Sequence, residues 1–153
     1  MADAYLHWKA LHILGAVLML GNVVVTGAWT ALLWRHRDHA TSRQIARGIL
    51  WTDLLFTLTG GALMTIAGIQ MIRVAQLPWR DLPWLMRGIE LLGASTIVWL
   101  VLLVPDQLRM ERCPPDDQAR FRRLLRRWTV IGWIATALLV AALWVMVTKP
   151  VGP

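Results

Sequence analysis

Cysteine occurs once in this chain of 153 residues, histidine four times and tyrosine once, and only nine residues are acidic. The lone Cys113 excludes an intrachain disulfide, and without a CxxC partner it excludes a thiolate zinc site. In the stretch "MERCPPDDQARFRR" it reads as a free loop thiol. Charged residues make up 16% of the chain and hydrophobic ones 57%, with a mean hydropathy of +0.52. Soluble domains carry roughly one quarter charged residues, so this composition excludes a soluble enzyme or a soluble DNA-binding module. There is no internal repeat and no low-complexity tract. No segment has the basic start, short apolar run and small-residue exit of a cleavable leader. The first apolar run is too long for one and is expected to stay as an anchor.

What the chain does have is long apolar blocks. A spanning helix needs about 20 mainly apolar residues. Four stretches reach or approach that length: about Tyr5–Trp34, Ile49–Ile72, Gly88–Pro105 and Trp128–Thr148. Only helices or closed barrels satisfy the backbone in lipid, and these runs are too long and continuous for barrel strands. The expected fold is all-α: one transmembrane domain over residues 1–153, an up-down-up-down four-helix bundle with lipid as its partner.

The net charge of +7 is distributed as a membrane protein would distribute it. Eleven of the 16 basic residues, Arg35, Arg37, Arg43 and Arg47 with seven arginines from Arg109 to Arg127, fall between helices 1 and 2 or between helices 3 and 4. Lys9, Arg73, Arg80, Arg87 and Lys149 lie toward the other side. The positive-inside rule then places both basic loops in the cytoplasm of a bacterial inner membrane and both termini on the periplasmic side. Basic loops beside anionic headgroups account for this charge without nucleic acid.

Ten tryptophans fit the scheme. Trp34, Trp51, Trp128, Trp8, Trp79, Trp84 and Trp144 fall near predicted interfaces, whereas Trp29, Trp99 and Trp133 lie deeper and are expected to pack between helices. Pro78 and Pro83 break "QLPWRDLPWLMRG" into a short interfacial connection. A further helix is expected to open after Pro115, capped by Asp116 or Asp117. Arg120, Arg123 and Arg127 share its face beside Leu124, a pattern that suits the membrane surface.

Helical periodicity groups His12 with Trp8, Gly15, Ala16, Met19, Asn22 and Thr26 on the small, polar side of helix 1. On helix 2 the matching stripe is Asp53, Thr57, Gly60, Met64, Gly68 and Met71. Helix 3 offers Glu90, Gly93, Ala94 and Ile97, and helix 4 offers Thr129, Gly132, Ala135 and Thr136. The small residues are accounted for by helix packing. Ionisable groups at depth are costly and point to function. Asp53 is expected either to bond a helix-1 group such as Asn22 or Thr26, to pair with Arg47, or to handle protons. Glu90 falls at the depth of His12, near Lys9, Arg73, Arg87 and Lys149.

His12 itself has two readings: a hydrogen-bonded structural group, or a ligand. Neutral imidazole binds haem iron and several other metals. Predicted helices 2, 3 and 4 contain no histidine, since His36 and His39 belong to the first basic loop. Bis-histidine haem within one subunit is therefore excluded, and a zinc or copper site would lack histidine partners. A haem b here would be five-coordinate, would take Met19, Met64 or Met71 as second ligand, or would be shared in a homodimer. Arg73, Arg87 or Lys9 would then hold its propionates.

The stretch "YLHWKALHILGAVLMLGN" resembles the first helix of the HemJ-type membrane protoporphyrinogen oxidases, where an aromatic residue precedes Lys-Ala-x-His. The closing "FRR" (Phe121–Arg123) and Lys149–Pro150 are similar too. The whole chain looks like a bacterial family of predicted integral membrane proteins of unknown function, related to HemJ and to the membrane domain of the copper-resistance protein CopD. The resemblance implies b-haem ligation by His12, with Lys9 as a functional neighbour. The HemJ Tyr-His pairs and its Asn-Glu-x-Pro are not matched; the latter reads Arg126-Arg127-Trp128-Thr129 here.

The expectation is therefore an inner-membrane b-type haem redox protein, with Asp53, Glu90 or Lys9 as candidate catalytic groups and a quinone or other electron partner. The alternatives are a HemJ-like oxidase and a non-redox scaffold, transporter or copper-handling protein.

Overall fold

A computed structural model describes residues 2–35, 39–114 and 116–150. His36, Arg37 and Pro115 lie outside the described residues, as do the side chains of Arg35, His39 and Arg43. Among the described residues there is no strand. Helix α1 spans Ala2–Arg35. Helix α2 (His39–Thr52) runs through a π-helical stretch, Asp53–Leu58, directly into α3 (Thr59–Val74). Helix α4 (Pro83–Val98) likewise passes through a π stretch, Trp99–Leu103, into α5 (Val104–Glu111). Helix α6 spans Gln118–Thr148. Four continuous segments, Asp3–Ala31, Ala46–Val74, Pro83–Glu111 and Gln118–Thr148, are long and apolar enough to cross a membrane.

The helices outrun the apolar blocks at both ends, for local reasons. Pro83 does not end a helix but starts one: it occupies the first turn of α4, where its missing N–H has no partner to lose. Pro105 does not end its helix either. The π stretch before it loosens the backbone ladder there, and the chain continues into α5. Asp117 caps α6, its Oδ1 accepting from the Arg120 backbone N–H at 3.0 Å. At the end of α3, Gln76 takes a left-handed conformation (φ 49°) and its Nε2 donates to the Arg73 carbonyl at 2.8 Å. A short 3₁₀ turn, Trp79–Asp81, then forms the expected connection, with Arg80 over the Trp79 ring.

Arg120, Arg123 and Arg127 do not ride on a separate surface helix. They belong to the first turns of α6, whose Phe121, Leu125 and Trp128 are buried against Ala46, Ile49, Leu103, Met110 and Cys113. Cys113 lies in the loop between α5 and α6, as expected, with its side chain buried in this core. The buried Trp128 also trades places with Trp29 and Trp133, which are exposed on the protein surface. On α4 the inward residues are Leu85, Gly88 and Ser95, while Glu90, Gly93, Ala94 and Ile97 face outward. Choosing the face by its one carboxylate set the helix phase wrongly.

Helix α1 packs mainly on α3, and α4 mainly on α6. The two pairs meet chiefly at the arginine-rich end, through α2, α5 and the π stretches. Within lipid, close packing and interhelical hydrogen bonds drive this association. In the first pair the backbones touch: a Cβ on Gly15 would lie 2.6 Å from the Gly60 carbonyl oxygen, and one on Gly60 would lie 2.9 Å from the Gly15 oxygen. In the second pair Ser95 Oγ donates to the Ala135 carbonyl at 3.0 Å.

Candidate functional site

Two polar centres lie inside the bundle, at different depths. The first is His12. Its Nδ1 stands 2.7 Å from the Met64 carbonyl oxygen and therefore carries the proton, leaving Nε2 as the basic nitrogen. The ring lies across Gly68, where an added Cβ would come within 3.2 Å of Nδ1. The small residues of α3 thus make room for the imidazole. Met19 and Met64 are buried nearby in the α1–α3 seam, and Met71 is half-buried further along α3.

Lys9, Arg73, Arg87 and Glu90 all sit toward the same end of the bundle, and all are exposed. Among the described residues none of these four side chains makes a hydrogen bond or ion pair. Lys149 stands over the Trp84 ring at 5.2 Å. The sequence pattern therefore placed these groups at the right level, while Glu90 is not part of the interior. No group of three or more His, Cys, Asp or Glu side chains suited to a metal ion occurs among the described residues.

The second centre is Asp53, only 6% exposed. Asn22 Nδ2 donates to its Oδ1 at 2.6 Å and also to Thr57 Oγ1 at 2.9 Å; Thr57 in turn reaches Oδ1 at 3.3 Å. Gln107 Nε2 donates to Oδ2 at 2.6 Å. The expected bond to helix 1 thus goes to Asn22; Thr26 Oγ1 is buried without a partner. Arg47 turns away to Glu111 at 3.5 Å. Among the described residues this carboxyl is held by neutral donors, Asn22, Thr57 and Gln107, with the Trp99 indole beside them, and by no cation. Because Asp53 opens the π stretch, the widened turn helps aim it between α1 and α5.

Sequence reasoning missed Gln107 and its neighbour Asp106, because "VPDQLRM" reads as a loop once Pro105 is taken as a helix end. The signal was present: Asp106 follows a long apolar run and lies opposite the arginines of α6. It is fully buried, with Arg109 at 2.8 Å and Arg127 at 2.9 Å. The Arg127 pair ties α5 to α6 beside the Asp53 network, while Arg109 pairs with Asp106 within α5.

Between the two helix pairs lies a cleft of about 800 Å³. Its walls are mainly apolar, and all four spans contribute, including Met19, Thr26, Asp53, Ser95, Trp99 and Trp128. His12 is not among the lining residues; the cleft begins two helical turns deeper, at Met19.

No curated protein and no solved structure matches the chain. The model of one family, described as predicted integral membrane protein (DUF2269), matches residues 6–150, nearly the whole chain. With four helices long and apolar enough to cross a membrane, the chain belongs to this family of integral membrane proteins.

Proposed function

We propose that the protein is a redox protein of the bacterial inner membrane that holds a b-type haem through His12. The observation that carries this reading is the imidazole's own hydrogen bond. Protein ligands to metals commonly donate their second ring nitrogen to a carbonyl or carboxylate, which fixes tautomer and orientation. His12 Nδ1 does so to the Met64 carbonyl, and Nε2 is left with the lone pair a ligand needs.

The remaining residues fit the donor chemistry. Met19, Met64 and Met71 lie on the helices that flank His12 and offer thioethers as second ligands. Lys9, Arg73 and Arg87 are unpaired cations at that end of the bundle, free to meet propionates. A bound haem would supply one-electron transfer. The protein's own part is to orient the imidazole, to hold the carboxyl of Asp53 away from bulk water for proton exchange, and to keep lipid out of the α1–α3 seam. Both termini would face the periplasm, and the electron partner would be lipid-soluble. The resemblance of the first helix to HemJ-type proteins supports haem ligation more than porphyrinogen oxidation, since the HemJ Tyr-His pairs are absent.

The test is the absorption spectrum of protein purified in detergent from haem-replete cells. A Soret band should be present in the parent and lost in folded His12→Ala, and added imidazole should restore it. A colourless parent after haem is supplied, or a spectrum indifferent to His12→Ala, would overturn the reading. In that case His12 is a packing contact.

A further inference from the structure

The cleft holds polar groups that the haem reading does not use. Trp128 is 5% exposed and lines the cleft, and its Nε1–H has no partner among the described residues. The same is true of Thr26 Oγ1 on the facing wall, whereas the Trp99 indole sits beside the Asp53 carboxyl. Leaving a buried donor unmet costs roughly 1–3 kcal/mol. Asp53 is the complementary group: a carboxyl can accept about four hydrogen bonds, and the three described above place two on Oδ1 and only one on Oδ2, leaving Oδ2 room for another.

The cleft also has room and access. Gly27 and Gly132 both line it, and a Cβ built on either meets nothing within 4 Å. Its volume lies within the roughly 300–1,000 Å³ range of small-molecule sites. Val24, Ile66 and Trp133, on its margins, are exposed at membrane-spanning depth, so entry is sideways from the lipid.

We propose that this cleft is a binding site for a lipid-soluble quinone, with Trp128 Nε1 donating to a ring carbonyl and Asp53 receiving the hydroxyl of the reduced form. A quinone and its quinol exchange C=O acceptors for O–H donors on one flat ring, and the cleft supplies both a free donor and a free acceptor between tryptophan walls. A phospholipid fits poorly. Asp53 offers a carboxyl that needs a donor. The ester carbonyls of a phospholipid only accept, so they cannot donate to it as a quinol hydroxyl does. The site gives the redox reading its electron partner, yet it is separate from His12 and its occupancy is measurable without haem.

The experiment uses the full chain in phospholipid nanodiscs and titrates decylubiquinone. Saturable binding of one molecule per chain is expected. Trp128→Phe should keep the ring, lose the donor and weaken binding about tenfold. Gly132→Leu should fill the cleft and abolish binding, and His12→Ala should leave it intact. Circular dichroism and gel filtration check that each variant is folded. Absence of saturable binding, affinity unchanged in both cleft variants, or phospholipid in the site that decylubiquinone does not displace would each overturn the proposal. A colourless protein that still binds quinone would remove the haem reading alone.

Discussion

Among the described residues Asp53 is held by amides and a hydroxyl and by no cation, so its partners can be changed without stranding a charge of opposite sign. Asp53→Ala leaves the donors of Asn22, Thr57 and Gln107 unmet. At about 0.6 kcal/mol for a typical hydrogen bond within a membrane protein, the loss should total about 2 kcal/mol. Asp53→Asn should cost less, because the Gln107 amide can turn its unpartnered Oε1 toward the new donor. Reversible unfolding in mixed micelles measures both, and a double-mutant cycle between Asn22→Ala and Asp53→Ala should show positive coupling. Equal losses for Asp53→Ala and Asp53→Asn would mean that the hydrogen bonds contribute little. At this scale the sequence was partly legible. A carboxyl and Asn22 on two inward stripes could be paired by periodicity. The partner of His12 could not, because a backbone carbonyl leaves no mark in side-chain chemistry.

Helix α1 approaches α3 through glycine, and glycines at a backbone crossing differ from those in open space. Gly15 and Gly60 sit at the backbone crossing, whereas Gly21, Gly27, Gly48, Gly93 and Gly132 have open space above them. Gly15→Ala forces the helices apart and should destabilise the protein by about 1–3 kcal/mol. Gly27→Ala should be neutral or slightly stabilising, since alanine favours helix by about 1 kcal/mol over glycine. Unfolding midpoints of the two variants check this, and a Gly27→Ala loss as large as that of Gly15→Ala would contradict it. The four spans themselves were legible from apolar length. Their ends were not, because Pro83 and Pro105 act according to their position in the helix and not simply as breakers. The face of α4 was lost for a related reason. Its single carboxylate points outward, and Gly88, which packs on Met146, carries no side-chain chemistry to announce itself.

For the molecule as a whole, the arginine-rich end is where the two helix pairs are fastened, by Asp53–Gln107 and by Asp106 with Arg127. If that end faces the cytoplasm, reporter fusions at both termini should be active as a periplasmic phosphatase and dark as a cytoplasmic fluorescent protein, and a fusion between Glu111 and Gln118 should behave oppositely. The reverse pattern would invert the proposed orientation while leaving the fold as it is. The pairing of the helices also sets an order of birth. Asn22 finds its partners 31 and 35 residues later in the chain, and His12 finds its carbonyl 52 residues later, all within the first pair. Gln107, which joins that pair to the second, lies 54 residues beyond Asp53. A chain emerging from the ribosome can therefore close α1 onto α3 before α4 has been made, and only then receive the second pair as a finished half.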